Sequence, residues 1–305
     1  MASRRGGYGG AALTWAPGSG RLPRGELWLY DRVFHDVGLP VGIAGQWRLR
    51  SAAGMDRWCL PIGEAPDAVP GYRSYRPEEL PMLRELQPAP FLGLIVDGPL
   101  EREIRRVGLT EALAPLAAAR RGHAPAAPAA RGAQPFGAAT AAALALIRAT
   151  AGWGEAVIVA DDIAGGDRLL ASPRALSRTL LPRYAELAAA VHDTRRLALF
   201  HSDGALGEFL RPLRRAGFDG LAAYQPEALS APGIRARAGA DCLRLGGIPA
   251  EWVRSGALPS QTEVRAHLRS LTEGGGCLGL ATSCGIEDGA AWQRLMACYA
   301  LLDGA

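Results

Sequence analysis

The feature that most constrains the fold is a repeated pair of elements along residues 91 to 305. A short, almost wholly apolar run ends in a polar or glycine-containing cluster, and a helical segment follows. Runs of this length and composition are typical of strands buried on both faces of a parallel sheet. Six of them can be marked, at residues 91–96, 156–160, 197–200, 220–223, 242–245 and 277–281. The alternation predicts βαβ units and an α/β fold.

The number of units and the lack of a Gly-x-Gly-x-x-Gly turn favour a closed (β/α)8 TIM barrel over a doubly wound sheet. A chain of 305 residues suits one such barrel. We therefore predict a single domain over residues 21–305, preceded by a flexible tail over residues 1–20 that is rich in Gly, Ala and Ser. Helices are expected at residues 173–192, with Ser172 as cap, and at residues 205–216, 261–271 and 289–302.

Composition excludes several classes of function. The sequence contains no lysine, so a lysine Schiff base, pyridoxal phosphate attachment and a Walker A loop are all excluded. The net charge of +4 is mild, and no basic stripe is interleaved with aromatic residues, so we expect no nucleic-acid partner.

Cysteine usage and hydropathy predict a cytoplasmic protein. The five cysteines are odd in number and far apart, which argues against a secreted disulfide framework. The N-terminus lacks the apolar core of a signal peptide. The longest apolar stretch, around residues 138–147, is too short to span a bilayer, so no membrane association is expected.

Candidate functional residues collect immediately after the apolar runs, where the active sites of such barrels lie. We expect one or both of Asp161 and Asp162 there, one as a cap and the other in a binding or acid–base role. Further side chains with reactive or polar groups follow the other runs: Asp97, His201, Asp203, Tyr224, Gln225, Gly247, Ser283 and Cys284.

His201, Asp203 and Cys284 together match the three-ligand pattern of catalytic zinc, which keeps a fourth position open. His201 and Asp203 are two residues apart, an alternation that can aim both side chains into one mouth of the barrel. A Ser-His-Asp triad is not available from His201-Ser202-Asp203, because sequence neighbours cannot form that linear relay.

Four segments resemble the uroporphyrinogen decarboxylase and cobalamin-dependent methyltransferase superfamily. They are VIVADDIAGGDRLLASPRALSRTLLPRYAEL (157–187), LALFHSDGALGEFLRPLRRAGFDGLAAYQPEA (197–228), DCLRLGGIPAEWVRSG (241–256) and GGGCLGLATSCGIEDGAAWQRLMACYALL (274–302). The resemblance covers roughly residues 90–303 and is weaker in RLPRGELWLYDRVF (21–34) and MDRWCLP (55–61).

The methyltransferase branch of that superfamily implies a zinc site on a His-x-Cys pair and a later Cys-Gly. His201 and Cys284 match this pattern, whereas Asp203 stands where a cysteine is expected; aspartate is nevertheless a competent zinc ligand. On this interpretation Glu26 approaches from the N-terminal segment as a fourth ligand. The metal-bound acceptor would be a thiol or a similar small molecule with a lowered pKa.

The same resemblance implies a methyl group carried by methylcobalamin or another corrinoid. No Asp-x-His-x-x-Gly motif is present, so the corrinoid would be presented by a partner corrinoid protein. Asp161, Asp162 and Gln225 would then act on the acceptor, and Asp97, Tyr224, Gly247 and Ser283 would bind the substrate. A homodimer is compatible with the sequence.

Two alternatives stay open from the sequence. One is a metal-independent decarboxylase of the uroporphyrinogen type, in which Asp161 or Asp97 stabilises a protonated intermediate and arginines bind the acid groups. Only Arg21 and Arg24 approach the arginine-rich segment that this branch requires. The other is a catalytically inactive barrel that binds a corrinoid or a tetrapyrrole.

Overall fold

The computed structural model describes residues 14–16, 20–63, 71–86, 91–120, 135–254, 258–273 and 275–304. Its centre is one sheet of seven parallel strands that neighbour one another in chain order. The strands are Arg57–Pro61 (β1), Phe91–Asp97 (β2), Ala156–Ala160 (β3), Leu197–His201 (β4), Gly220–Tyr224 (β5), Leu243–Gly246 (β6) and Cys277–Gly279 (β7). All six predicted apolar runs are strands, and the α/β class is confirmed.

In the described segments, two helices precede β1, one follows β7, and the others lie between strands along the chain. The helices are Asp31–Asp36 (α1), Ile43–Ala52 (α2), Pro99–Val107 (α3), Leu109–Arg120 (α4), Gly137–Ala149 (α5), Pro173–Thr179 (α6), Leu181–Asp193 (α7), Leu210–Ala216 (α8), Ala231–Ala238 (α9), Glu251–Arg254 (α10), Gln261–Thr272 (α11) and Gly289–Asp303 (α12). A 3-10 helix spans Pro77–Arg84. No helix among these described segments is both long and apolar enough to span a membrane.

Local chemistry explains where these helices begin and end. Ser172 caps α6 by accepting a hydrogen bond from the backbone N–H of Ala175 (3.3 Å), as predicted. The predicted helix at residues 173–192 is divided into two at Leu180, because Pro182 has no N–H to continue the ladder. The helix predicted at residues 205–216 is shorter, and it ends as expected at Gly217, whose φ is 110°.

The sheet separates two apolar layers. One layer packs strand side chains against helices, and it includes Val157, Val159, Ala198 and Phe200. The other draws its buried residues from all seven strands and from Leu27 and Ala281, but from no helix. This second layer therefore fills the inside of a curled sheet.

An irregular N-terminal segment, residues 23–30, connects the two outer strands. The N–H of Gly25 donates to the carbonyl of Leu280 (2.9 Å), and the N–H of Arg57 donates to the carbonyl of Arg24 (3.0 Å). The buried guanidinium of Arg50 donates to the carbonyls of Glu26 (2.6 Å) and Cys59 (2.9 Å). This segment makes only isolated bridges, so the described part of the chain has seven strands in the sheet rather than the predicted eight.

The predicted tail at residues 1–20 falls mostly outside the described residues.

Candidate active site

The alternation of side chains along the strands determines which polar residues face inward. In β4, Leu197 and Leu199 belong to the inner layer. Since successive side chains point to opposite faces of a strand, His201 continues the inward-facing set. Ala160 in β3 also faces inward. By the same alternation, Asp161 points toward the helices and Asp162 points inward.

A pocket of about 190 Å³ opens at the carboxyl ends of the strands. Eight of the predicted site residues line it: Asp97, Asp161, Asp162, His201, Asp203, Gln225, Ser283 and Cys284. The remaining lining residues are Trp28, Tyr30, Tyr72, Glu101, Arg105, Ala160, Arg254 and Gly285. A pocket of this size admits a small molecule but cannot enclose a corrinoid ring.

His201 is buried and held in one orientation. Its Nδ1 lies 3.0 Å from the carbonyl oxygen of Ala222, an arrangement in which Nδ1 carries a proton and donates it. Its Nε2 faces Asp162, with 3.8 Å between that nitrogen and Oδ1. The edge of the imidazole packs against Trp28, with ring centroids 4.6 Å apart. The ring therefore presents Nε2 to the pocket.

The turn that follows His201 is fixed by hydrogen bonds. The buried hydroxyl of Ser202 accepts from the backbone N–H groups of Ile163 (3.1 Å) and Ala164 (3.3 Å). Gln225 accepts from the N–H of Gly204 (2.8 Å) through its side-chain oxygen. Gly204 has φ +79°, and a Cβ there would lie 1.8 Å from the carbonyl oxygen of Gly165, so only glycine fits.

Asp203 is held by its backbone rather than by its carboxylate. Its N–H donates to Oδ1 of Asp162 (2.9 Å). Its own Oδ1 is buried without a hydrogen-bond partner among the described residues. Burial raises the pKa of this carboxyl, and His201 opposes that effect. An unsatisfied oxygen at a pocket wall is a position that a ligand or an ion can complete.

Asp161 has a structural role. Its carboxylate accepts from the N–H groups of Leu100 (3.2 Å) and Glu101 (2.6 Å) in the first turn of α3, and from the hydroxyl of Tyr184 (2.6 Å) in α7. Burial raises its pKa to about 7. Asp161 therefore joins two helices, whereas Asp162 lines the pocket and faces His201.

Ser283 and Cys284 enter the pocket from the loop after β7. The Ser283 side chain is buried, and its Oγ has no hydrogen-bond partner within the described residues. Burial raises the pKa of the Cys284 thiol to about 11, and Arg254 opposes this effect. The thiol therefore stays protonated near neutral pH unless a cation replaces the proton.

The donor atoms suit zinc in kind, but their arrangement does not complete a site. An imidazole nitrogen, a carboxylate oxygen without a partner and a thiol all line one pocket. Among the described residues, however, no three His, Cys, Asp or Glu side chains come close enough together to hold an ion. The geometry of these side chains therefore assigns no metal-dependent step.

Glu26 does not line the pocket, in contrast to its expected role as a fourth ligand. Its carboxylate is fully buried, accepts from the hydroxyl of Tyr299 (2.7 Å) and the N–H of Thr282 (2.9 Å), and also binds the Thr282 hydroxyl. Burial raises its pKa to about 7. Both oxygens are occupied, so Glu26 ties α12 to the loop that carries Cys284.

Tyr224 and Gly247, expected to bind substrate, also lie outside the pocket lining. The register between β5 and β6 shifts between Ala222 and Tyr224, and Ala223 has φ 47°. This bulge places Ala222 and Ala223 consecutively in the inner layer and turns Tyr224 into the helix-facing layer. The tyrosine ring then packs beside Gly247, where a Cβ would lie 2.6 Å from its hydroxyl.

The aromatic and arginine residues of the pocket were not predicted. Trp28 and Tyr30 come from the irregular N-terminal segment, and Tyr72 comes from the loop after β1. Arg105 is in α3, and its guanidinium forms two salt bridges. Its Nη2 lies 3.2 Å from Oδ1 of Asp97, and its Nε lies 3.4 Å from Oε1 of Glu101. A pattern based on strand ends cannot find residues that reach the pocket from a helix or from a segment without strand structure.

A likeness to one solved structure supports the fold, and two weaker likenesses accompany it. A methyltransferase from Methanosarcina mazei superposes with a TM-score of 0.65 at 16% identity, and the match covers 96% of this chain and 96% of that one. Dispersin B matches with a TM-score of 0.47 at 8% identity, covering 92% and 97% of the two chains. A D-allulose 3-epimerase from Methylomonas sp. gives 0.46 at 13% identity, covering 92% and 90%.

No protein-family model matches the sequence, and no curated protein is significantly similar to it. At 16% identity the likeness to the Methanosarcina protein establishes a shared fold over nearly the whole chain.

Proposed function

We propose that this chain is a methyltransferase whose active site is the pocket around His201. The observation that carries the proposal is the convergence of His201, Asp162, Asp203 and Cys284 on one pocket at the carboxyl edge of the sheet. The fold shared with a methyltransferase over 96% of the chain supports the same conclusion. Membership of the superfamily suggested by the sequence is part of this proposal.

The acceptor would be a small thiol or a similar nucleophile. His201 is suited to take its proton, because Nδ1 is engaged by the Ala222 carbonyl and Nε2 is directed into the pocket. Asp162 faces that nitrogen and would stabilise the imidazolium formed. The amide nitrogen of Gln225 remains available to orient the acceptor, since its oxygen is used by Gly204.

Zinc is an alternative to this proton transfer, because the one free lone pair of His201, on Nε2, can either take a proton or bind an ion. In that alternative His201, Asp203 and Cys284 would hold the ion only after moving closer together than they lie here, and the unpartnered Oδ1 of Asp203 supports the assignment. The corrinoid would meet the pocket from a partner protein, because about 190 Å³ cannot contain it.

The decarboxylase alternative has less support. It relied on Asp161 or Asp97, but the Asp161 carboxylate is committed to α3 and Tyr184, and Asp97 is paired with Arg105.

The test combines metal analysis with a transfer assay. If the zinc alternative holds, purified wild-type protein should contain about one zinc per chain, and His201→Ala and Cys284→Ala should lose it. The exposed His35 provides a matched control, because His35→Ala should retain the metal. Methylcobalamin supplied with a panel of small thiols should be demethylated by the wild type and not by His201→Ala. Metal-free protein that demethylates methylcobalamin would refute zinc alone. If no thiol demethylates methylcobalamin, either free or bound to a corrinoid protein, the methyltransferase is refuted.

A further inference from the structure

One wall of the pocket is aromatic. Tyr72 lies between two other rings, 6.4 Å from Trp28 and 5.7 Å from Tyr30 between centroids. All three side chains are only half-buried and line the pocket. The faces of such rings carry negative electrostatic potential and attract cations, most strongly when the cation is poorly hydrated.

The charges around this wall also favour a cation. Five carboxylates, those of Asp97, Glu101, Asp161, Asp162 and Asp203, line the pocket beside two guanidinium groups. The guanidinium of Arg105 forms salt bridges with both Asp97 and Glu101. The guanidinium of Arg254 forms one with Glu287, with 3.1 Å between Nη2 and Oε1. Within the described residues Asp162 and Asp203 form no salt bridge with an arginine, and Arg254 acts on Asp203 only from a longer distance.

A second, independent observation points to a ligand. The Ser283 side chain is 1% exposed, lines the pocket, and has no hydrogen-bond partner for its Oγ in the described part of the chain. Buried hydroxyl groups are rarely left unsatisfied. A polar group on a bound small molecule would satisfy this one.

We propose that the pocket binds a small quaternary ammonium compound, with its methylated nitrogen against Trp28 and Tyr72 and near Asp162. This inference rests on the proposed function because it uses the same pocket; it concerns binding alone, and no methyl group of the ligand is transferred. A quaternary nitrogen has no N–H to donate, so its charge is spread over methyl groups that pack on ring faces. Nearby carboxylates stabilise it without direct hydrogen bonds. A hydroxyl or carboxylate elsewhere on the same molecule would reach Ser283.

Calorimetric titration of the full chain with choline and tetramethylammonium tests the proposal. The control ligand is 3,3-dimethyl-1-butanol, which matches choline in shape but has no charge. We expect choline to bind at least 10-fold more tightly than this neutral compound, and Trp28→Leu to weaken choline binding by about 10-fold or more. Trp28→Phe should retain part of the affinity, since it keeps a ring face.

A matched control is Trp153→Leu, which removes a half-buried indole stacked on Arg84, outside the pocket. It should bind choline as the wild type does. Equal affinity for choline and its neutral analogue, or no binding of either to folded wild-type protein, would overturn the inference. If thiols are methylated but no quaternary ammonium compound binds, this inference fails alone. If choline binds but no methyl group is ever transferred, the proposed function fails alone.

Discussion

Nε2 of His201 and Oδ1 of Asp162 face each other across 3.8 Å at the carboxyl edge of neighbouring strands. The same oxygen accepts the backbone N–H of Asp203 at 2.9 Å, which holds the carboxylate in this position. Ala160 and His201 are paired in the register of β3 and β4, so Asp162 follows its strand close to the histidine. The register of the sheet thus brings the two residues together, although Asp162 itself lies just after β3.

Replacing Asp162 by Asn should lower the rate of methyl transfer without unfolding the protein. The amide oxygen of Asn can still accept the Asp203 N–H, but the negative charge that would stabilise the His201 imidazolium is lost. We expect kcat to fall by about 10- to 100-fold. Steady-state kinetics and thermal unfolding would measure both effects. Asp167→Asn, at a side chain that is 87% exposed, is the matched control and should leave both unchanged. An Asp162→Asn enzyme with wild-type kcat would contradict this role.

Replacing Asp161 by Asn should mainly lower the free energy of unfolding, in contrast to Asp162→Asn, which should mainly lower kcat. The Asp161 carboxylate accepts two backbone N–H groups and one hydroxyl, and an amide would turn an N–H toward at least one of these donors. Leaving a buried donor unpaired costs about 1–3 kcal/mol. Urea unfolding followed by circular dichroism would measure the loss. Tyr184→Phe, which removes the hydroxyl alone, should cost less, and the reverse order would contradict the assignment.

The pH dependence of stability should reflect Glu26. Its carboxyl titrates near 4.5 in the unfolded chain and near 7 in the folded protein, because burial disfavours the charged form. The folded state therefore holds the proton more tightly. This contribution to stability is complete below pH 4.5 and is lost as the pH rises through about 7. The shift corresponds to a loss on the order of 3 kcal/mol.

Free energies of unfolding measured from pH 5 to pH 8 would test this. Wild type should become less stable over that range, and Glu26→Gln should show a flatter dependence because it cannot ionise. Glu227→Gln, in an exposed loop, should keep the wild-type slope. If the free energies of unfolding of wild type and Glu26→Gln change equally with pH, the pKa of the Glu26 carboxyl is not raised on folding. Asp161, whose pKa is also raised to about 7, accounts for the residual slope.

The positions of most strands, and the pocket residues that directly follow them, could be predicted from the sequence. Apolar runs mark buried strands because no polar side chain can occupy either face, and the residues that follow them must gather at one edge. Strict alternation along β3 and β4 would also have distinguished Asp161 from Asp162, since the two point to opposite faces. His201, Asp203, Gln225, Ser283 and Cys284 all line the pocket for the same reason.

Three features could not be predicted because they depend on tertiary packing. The bulge at Ala222–Tyr224 reverses the alternation, so Tyr224 faces the helices although its position in the strand predicts the pocket. Glu26 carries no sign in the sequence that Tyr299 and Thr282 would bind it. The aromatic wall begins in a segment without regular structure, whose position is set by hydrogen bonds to Leu280 and Arg57.

Gly98 offers a last prediction, because it is the point at which the end of β2 approaches the Asp161 carboxylate. A Cβ at residue 98 would lie 2.4 Å from both Cβ and Cγ of Asp161, which no adjustment short of moving that side chain can relieve. Gly98→Ala should therefore break the bonds from Asp161 to the first turn of α3 and lower the free energy of unfolding by about 1–3 kcal/mol. Gly137→Ala is the matched control, since nothing lies within 4 Å of a Cβ built there at the start of α5. That variant should be neutral or more stable by about 0.5–1 kcal/mol, because alanine favours a helix over glycine. Urea unfolding of the two variants beside the wild type would measure the difference, and equal stability of Gly98→Ala and Gly137→Ala would refute the role assigned to the Asp161 contact.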